Sequence, residues 1–116
     1  MRHSKKGRKF GRKSGVRKAL MRSLAVSLIK AGKIKTTEPK AKELKPYIEK
    51  MISSAKIGTI ARRKGLEAKI GYISSKALFD TYAPKFKERS GGYTRVIKLP
   101  ARVRDASPMA IIEFVK

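Results

Sequence analysis

The chain has 116 residues, and its 31 Lys or Arg against 8 Asp or Glu give it a formal net charge of +23. Hydrophobic residues make up 41% of the chain, which suffices for one domain with a modest core and excludes a purely disordered polycation. The sequence has no Cys, which excludes disulfides and thiolate metal sites, and no apolar run approaches the roughly 20 residues of a membrane-spanning helix.

The basic residues are concentrated at the start of the chain. Thirteen Lys or Arg lie from Arg2 to Lys35, and the first acid is Glu38. A dense polyanion is the expected counterpart, because each neutralised phosphate releases condensed counterions. Residues 1–13 have almost no apolar content, so we predict a basic extended N-terminal tail there and a single α+β globular domain over residues 14–116.

Helical periodicity begins after this tail. A helix is predicted from Ser14, a suitable N-cap, to about residue 31, with Gly32 as its stop. Leu20, Leu24 and Leu28 fall four residues apart, and Met21, Ala25 and Ile29 lie beside them, so that the six form an apolar stripe facing a core. The basic residues lie off this stripe, so the helix is predicted to have one side for packing and one side for an anion.

A brief strand and a long helix are predicted next. Residues 32–37 are rich enough in β-branched side chains for a short strand. Glu38 and Pro39 then mark a helix start. Helical spacing persists through about Lys56 in the apolar residues Ala41, Leu44, Ile48, Met51, Ile52 and Ala55. Pro46 lies inside this pattern, and we expect a kink there rather than an end, because the periodicity resumes in phase.

Two shorter helices and a β-hairpin complete the chain. The helices are predicted from Thr59 to about residue 69 and from about residue 73 to Tyr82, with Pro84 ending or tightening the last turn. Residues 93–99 and 109–115 alternate in hydrophobicity and are predicted to form a hairpin with a long basic tip. The predicted class is therefore α+β, with the order helix, strand, three helices, two strands. The domain is predicted to have two layers, with the helices packed on a small mixed sheet.

The sequence gives little support for catalysis. His3 is the only histidine, and it lies in the basic tail without a residue to orient it. The eight carboxylates are scattered without a metal-ligand pattern, and most, such as Glu43 and Glu49, are expected to pair with Lys on a helix face. The Ser90-Gly91-Gly92 turn lacks the Lys-Ser/Thr and the helix of a nucleotide-binding loop. We predict no enzyme activity, no cofactor and no metal.

Not every basic or aromatic residue is expected to touch a nucleic acid. Lys45, Lys50 and Lys76 fit a solvated face at least as well. Phe10 either anchors the tail on the domain or stacks on a base, with anchoring slightly favoured. Tyr93, between a Gly-Gly turn and an arginine, is either a buried tyrosine with a satisfied hydroxyl or an RNA contact.

Several stretches of this sequence resemble one known family. They are the opening Met1-Arg2-His3, the run Ile34-Lys35-Thr36-Thr37, the run Lys40-Ala41-Lys42-Glu43-Leu44, the motif Arg89-Ser90-Gly91-Gly92-Tyr93-Thr94-Arg95 and the closing Met109-Ala110-Ile111-Ile112-Glu113. Together they are similar to the bacterial-type large-subunit ribosomal protein seventeen family. The resemblance covers essentially the whole chain in order.

This resemblance implies a structural role without catalysis. Members of the family are α+β proteins of the large ribosomal subunit, bound to ribosomal RNA near the rim of the nascent-chain tunnel. The implied partners are ribosomal RNA (rRNA) and neighbouring large-subunit proteins, in the cytoplasm, with no membrane and no small-molecule substrate. The sequence departs from the family pattern at Val16, where a His is frequent, and at Arg104, where a Gly usually precedes Asp105.

Charge asymmetry and resemblance together predict a mechanism for RNA binding. The tail and the outer face of the first helix would thread between RNA helices, while the folded part would fix orientation on RNA shape. The residues predicted to contact rRNA are Arg2, His3, Lys5, Lys6, Arg8, Lys9, Arg12, Lys13, Arg17, Lys18, Arg22, Lys35, Thr36, Lys40, Lys42, Arg62, Arg63, Arg89, Tyr93, Arg95, Arg102 and Arg104.

Three alternatives share part of this evidence. A nonspecific DNA-binding architectural protein has a similar charge, and comparable binding of duplex DNA and folded rRNA would favour it. A membrane-active basic peptide is disfavoured by the glycine-punctuated tail. The third is an organellar protein, since an acid-poor, Arg-rich start also occurs in transit peptides. A mitochondrial or plastid member of the same family stays open here, although the start at Met1-Arg2-His3 leads us to expect no presequence.

Overall fold

The computed structural model describes residues 14–115. The observed order of elements confirms the predicted α+β class. The elements are α1 (Ser14–Ala31), β1 (Lys33–Thr37), α2 (Glu38–Ile57), α3 (Ile60–Ile70), α4 (Tyr72–Ala77), a π-helical turn (Leu78–Tyr82), α5 (Ala83–Lys85), β2 (Thr94–Leu99) and β3 (Met109–Phe114).

The three strands form one antiparallel sheet in the order β1-β3-β2. Lys33 pairs with Glu113 on one side of β3, and Thr94 pairs with Phe114 on the other. The expectation of a mixed sheet was wrong in this respect. Strand β3 is central and runs opposite to both of its neighbours, so the two strands that share a direction, β1 and β2, never pair with each other.

Helix α1 has the predicted bounds, and its buried residues all belong to the predicted apolar stripe. Its fully buried residues are Met21, Ala25, Leu28 and Ile29. The helix ends at Gly32, whose φ of 84° lies in the left-handed region that favours glycine. The Gly32 amide donates to the Leu28 carbonyl oxygen at 2.7 Å, which satisfies one of the last carbonyls of the helix.

Helix α2 is the central element of the core. Its buried residues match those that the periodicity predicts, namely Ala41, Leu44, Ile48, Met51, Ile52 and Ala55. The helix continues through Pro46 to Ile57, so the resumption of the pattern beyond Pro46 is confirmed. Gly58, with a φ of 73°, ends it, and its amide donates to the Ser54 carbonyl oxygen at 3.4 Å.

The fourth predicted helix is longer and less regular than its sequence suggests. It begins at Tyr72, passes through the π-helical turn and ends at Lys85, so Pro84 lies within its last turn. In the π-helical turn the Ala83 amide donates to the carbonyl of Leu78, five residues earlier. Pro84, which has no backbone N–H to donate, lies just beyond this turn within the short α5.

The helices cover one face of the sheet. Ala110, Ile112 and Phe114 of β3 point into the core, and the Tyr82 ring stacks on Phe114 with a centroid separation of 4.2 Å. On the opposite face Ile97 of β2 is 42% exposed. Within residues 14–115, every helix is too short or too polar to cross a membrane.

The hairpin tip is closed by a short set of hydrogen bonds. The Ala106 amide donates to the Arg102 carbonyl at 2.7 Å, and the Arg102 amide donates to the Ser107 carbonyl at 2.8 Å. The Ser107 amide also donates to the Asp105 carboxylate at 3.1 Å. The left-handed residue of the tip is Ala106, with a φ of 58°. Arg104 therefore replaces the usual glycine without demanding a left-handed backbone at its own position.

Candidate nucleic-acid interface

The predicted contact residues divide into two groups. The eight in the tail lie outside the described residues, namely Arg2, His3, Lys5, Lys6, Arg8, Lys9, Arg12 and Lys13. The remaining ones are distributed over α1, β1, α2, α3, the loop before β2, β2 itself and the hairpin tip. The structure brings some of these together and separates others.

Among the described residues, several cations line an open groove between α1, α2 and α3, which we term the α1–α3 groove. Its volume is about 520 Å³. Its polar lining includes Arg17 and Lys18 from α1, Tyr47 and Lys50 from α2, and Arg62 and Lys69 from α3. Five cations from three helices therefore converge on one concave surface.

Helical spacing explains why these side chains share a surface. On α1, Arg17 and Lys18 lie about one turn before the buried Met21, so they continue the packing face rather than occupy the opposite side of the helix. On α2, Tyr47 and Lys50 are three residues apart and therefore neighbours on one helix face.

The groove has little acid to offset its cations. Glu43, one turn before Tyr47 on α2, is the single acid of the lining. Five cations and one carboxylate make the groove strongly electropositive, which is the electrostatic property of an anion site.

Tyr47 lies where the α1–α3 groove meets a second open hollow of about 590 Å³, which Lys18 and Lys69 also line together with Arg22. The Tyr47 side chain is half-buried, and the Lys69 Nζ is 5.9 Å from its ring centroid. Burial raises the pKa of the Tyr47 hydroxyl, with the nearby Arg22 charge acting in the opposite direction. The hydroxyl therefore stays protonated and able to donate at neutral pH.

The basic run of α3 divides between two surfaces. Thr59 caps the helix, and its Oγ1 accepts a hydrogen bond from the Arg62 amide at 3.3 Å. From that start Arg62 lines the α1–α3 groove, whereas the Arg63 guanidinium lies 4.5 Å from the Phe79 ring centroid. Arg63 therefore packs on an aromatic ring in a cation–π arrangement rather than joining the groove.

Several predicted contacts at the sheet have acidic partners within the chain. Lys42 Nζ lies 2.8 Å from Glu38, Arg95 Nε lies 3.6 Å from Glu113, and Arg102 Nη1 lies 3.2 Å from Asp105. The hydrogen bond from Lys42 is the largest of the effects that lower the pKa of Glu38. Hydrogen bonds from Ser107, the backbone amide first, lower the pKa of Asp105. These exposed pairs fix side-chain direction more than they stabilise the fold.

Near the hairpin tip the structure brings Lys35 and Arg102 together along a smaller hollow of about 370 Å³. Val103 also lines it and is fully exposed, at 101%. Thr36 of β1 pairs with Ala110, and its side chain is half-buried. Lys40 is half-buried on α2, and Arg104 is exposed on the tip.

The Gly-Gly-Tyr motif forms a corner that is fastened to α2. Tyr93 is 3% exposed, and its hydroxyl accepts a hydrogen bond from Lys56 Nζ at 2.9 Å. That bond is the main reason why the pKa of Tyr93 is lowered. Lys56 also donates to the Arg89 carbonyl, and Arg89 Nε donates to the Gly92 carbonyl at 3.1 Å. Of the two sequence interpretations of Tyr93, the buried tyrosine with a satisfied hydroxyl is the one seen here.

Sequence reasoning missed three lining residues of the α1–α3 groove. Tyr47 and Lys69 were not singled out, and Lys50 was assigned to a solvated face. The spacing of Tyr47 and Lys50 on one helix was a readable signal. No local signal links either of them to Lys69, because only the packing of α3 against α2 brings that residue close.

Glu49 also differs from its expected role as a helix-face partner of Lys. Its Oε2 accepts hydrogen bonds from the Thr94 hydroxyl at 2.8 Å and from the Thr94 amide at 3.3 Å. It therefore ties α2 to the start of β2. Across residues 14–115, no group of His, Cys, Asp and Glu side chains is arranged to hold a metal ion.

Comparison with known proteins gives a consistent result along the chain. The family described as ribosomal protein L17 matches residues 20–115. The large ribosomal subunit protein bL17 of Sphingopyxis alaskensis is 48% identical over 116 residues, covering 99% of this chain and 84% of the relative. The protein of the same name from Campylobacter jejuni strain 81-176 is 46% identical, with 99% of both chains covered. That of Erythrobacter litoralis is also 46% identical, covering 99% of this chain and 83% of the relative.

Proposed function

This chain belongs to the ribosomal protein L17 family, and on that premise we propose that it binds rRNA as a structural constituent of the large subunit, supporting subunit assembly and translation. It is a ribosomal protein and not an enzyme. Its proposed partners are rRNA and neighbouring large-subunit proteins, and its proposed location is the ribosome in the cytoplasm.

The observation that best supports RNA binding is the convergence of Arg17, Lys18, Lys50, Arg62 and Lys69 on the α1–α3 groove. Like charges that converge on a concave surface repel one another and destabilise the compact state. A polyphosphate partner removes that repulsion and gains entropy from released counterions. The groove is therefore best explained as part of an RNA-binding surface.

We further propose a division between a tail and a domain. Residues 1–13 supply dense positive charge, and residues 14–116 form the single domain that orients the protein. In this arrangement the tail and the exposed face of α1 enter between RNA helices, and their charge is neutralised by phosphates. The domain contacts phosphate and sugar groups and so recognises RNA shape rather than base sequence.

The tail is tested by replacing Arg8, Lys9, Arg12 and Lys13 together with alanine. In sucrose gradients of cell lysate, the wild-type protein is expected to migrate with large subunits at low and at moderate salt. The tail variant is expected to leave that peak at moderate salt. For purified protein and an rRNA fragment, the slope of log K against log salt should fall in magnitude by about 3, since each lost phosphate contact removes about 0.7–0.9.

A matched control removes the same charge from the described domain. Lys64, Lys76, Lys85 and Lys87 are exposed and belong to no predicted contact set, so their joint replacement with alanine should leave the variant in the large-subunit peak. Incorporation of the tail variant at the level of this control would refute the role of the tail. Migration of the wild-type protein with DNA, or equal binding of duplex DNA and folded rRNA, would replace the ribosomal proposal with an architectural DNA-binding one.

A further inference from the structure

We propose that the α1–α3 groove binds an unpaired nucleotide of an RNA strand, with the base stacked on Tyr47 and the adjoining phosphates held by Lys50 and Arg62. This inference rests on the RNA binding proposed above and adds to it the class of RNA segment and the residues that select it. Neither Tyr47 nor Lys50 belongs to the contact set predicted from the sequence.

Tyr47 differs from two other tyrosines of the domain in the hydrogen bonding of its hydroxyl. Buried tyrosines usually place their hydroxyl on a hydrogen-bond partner, and two tyrosines of this chain do so. Tyr82 donates to the Ile29 carbonyl at 2.9 Å, and Tyr93 accepts from Lys56. In the described part of the chain the Tyr47 hydroxyl has no such bond, although its side chain is half-buried. A half-buried ring with an open hydroxyl beside five cations suits a ligand that has both an aromatic face and acceptor oxygens.

Two open spaces adjoin Tyr47. Tyr47 lines both the α1–α3 groove and the adjoining hollow, which are open spaces of about 520 and 590 Å³. Each volume is within the range of about 300–1,000 Å³ that is usual for sites of small organic ligands. An extended strand can therefore cross from one space to the other beside the Tyr47 ring.

Positively charged side chains line both of the spaces that adjoin Tyr47. Lys50 and Arg62 lie on the groove side, Arg22 lies on the side of the second hollow, and Lys18 lines both spaces. Cations on both sides of one aromatic residue match successive phosphates on both sides of one base. Proteins that bind single strands combine a basic groove with an aromatic stacking platform in this way.

Because Tyr47 is half-buried, stacking on its ring requires a base from an unpaired RNA segment. In an A-form duplex the base faces are stacked on one another, and side chains reach only edges, hydroxyls and phosphates. A half-buried tyrosine ring can meet a base face only where the base is unstacked, as in a loop, a bulge or a strand end. Duplex RNA should therefore bind this protein through charge alone and leave Tyr47 uncovered.

The absence of tryptophan from the sequence allows a direct test. The Tyr47→Trp variant of the full chain carries a single indole at the proposed stacking position. Titration with decauridylate, a single-stranded RNA of ten nucleotides, is expected to quench its emission with saturation. A blunt-ended, GC-rich RNA duplex of ten base pairs, which stays paired at room temperature, is expected not to quench it. The matched control is Tyr72→Trp, because Tyr72 is 61% exposed and lies outside the groove.

Affinity measurements on two further variants separate stacking from hydrogen bonding. Tyr47→Leu should weaken decauridylate binding by about tenfold, since loss of one base–aromatic stack costs about 1–3 kcal/mol. Tyr47→Phe keeps the ring and should bind within about twofold of the wild type. Neither change should alter duplex binding. Circular dichroism melting confirms that each variant is folded, and the Tyr47→Trp titration stands independently of the leucine variant.

The outcomes distinguish this inference from the proposed function. If the Tyr47→Trp variant binds decauridylate in a gel-shift assay without a change in emission, the groove inference is overturned and RNA binding stands. If the duplex quenches the emission of the same variant equally, the selectivity for unpaired RNA is overturned. If the wild-type chain binds neither decauridylate nor folded rRNA more tightly than duplex DNA, the proposed function itself fails.

Discussion

The link between Glu49 and Thr94 is expected to control how firmly the hairpin is held to α2. Glu49 lies on α2, and its Oε2 accepts from both the hydroxyl and the amide of Thr94, the first residue of β2. Thr94 is only 3% exposed. Replacing Glu49 with alanine therefore leaves two donors inside the protein without this acceptor and without ready access to water.

The magnitude follows from those two bonds. A hydrogen bond to a charged group contributes about 1.5–3 kcal/mol, and a buried donor left unsatisfied costs about 1–3 kcal/mol. Because both bonds share one oxygen, they are not additive, and Glu49→Ala should lower the free energy of unfolding by about 3 kcal/mol. With about 4 °C per kcal/mol for a chain near this length, Tm should fall by about 12 °C. Glu49→Gln keeps an acceptor and should lose about 1 kcal/mol.

The assay is urea unfolding followed by circular dichroism at neutral pH. Glu67→Ala is the matched control, because it makes the same change in net charge on α3, where the Glu67 side chain has no hydrogen bond or ion pair in the described region. It should change the free energy of unfolding by less than about 0.5 kcal/mol. A loss of under about 1 kcal/mol for Glu49→Ala, or an equal loss in both variants, would show that Thr94 finds other partners and that the reasoning is wrong.

Two other sets of substitutions test backbone strain in the hairpin tip and the pH dependence of stability. Ala106→Gly should raise the free energy of unfolding by about 0.5–1 kcal/mol, measured by urea unfolding, because the φ of 58° strains alanine but not glycine; an unchanged or lower stability would contradict this. The lowered pKa values of Glu38 and Asp105 stabilise the fold above the ordinary carboxyl pKa, and this stabilisation is lost as pH falls through the folded-state values. Urea midpoints should therefore fall less steeply below about pH 4 in the Glu38→Gln/Asp105→Asn variant, and parallel curves would refute this origin.

The part of the fold that depends on local pattern was predictable. The bounds of α1 and the buried face of α2 follow from apolar spacing, a Ser or Thr before the first turn and a glycine after the last. The hairpin follows from alternation and is confirmed by the pairing of β2 with β3. These features are fixed by neighbours within a few residues, which a sequence displays directly.

The features that the sequence did not reveal depend on distant partners. The antiparallel order β1-β3-β2 requires β3 to enter between two strands, one of which lies far earlier in the chain. The bond from Thr94 to Glu49 spans 45 residues. The extension of the fourth helix through Pro84 depends on a π-helical turn that changes the hydrogen-bond register. None of these has a signal in local composition.

The α1–α3 groove shows how far charge alone can be interpreted. The basic residues of α1 and α3 were predicted to contact RNA from their density in the sequence, and the structure places Arg17, Lys18 and Arg62 on one surface. It equally places Lys50 there, a residue with the same charge that was assigned to solvent. Whether a lysine lines this groove therefore depends on the position of its neighbours, here Tyr47 and α3, and not on its own sequence context.

The cations of this domain fall into two groups, according to whether an acid of the chain lies beside them. Lys42, Arg95 and Arg102 lie beside acids of the chain, so part of their charge is neutralised without a ligand. The cations of the α1–α3 groove share one acid, Glu43, and the residual repulsion among them lowers stability until an anion binds. An anionic partner would supply the missing negative charge, which is the property on which both the proposed rRNA binding and the nucleotide site depend.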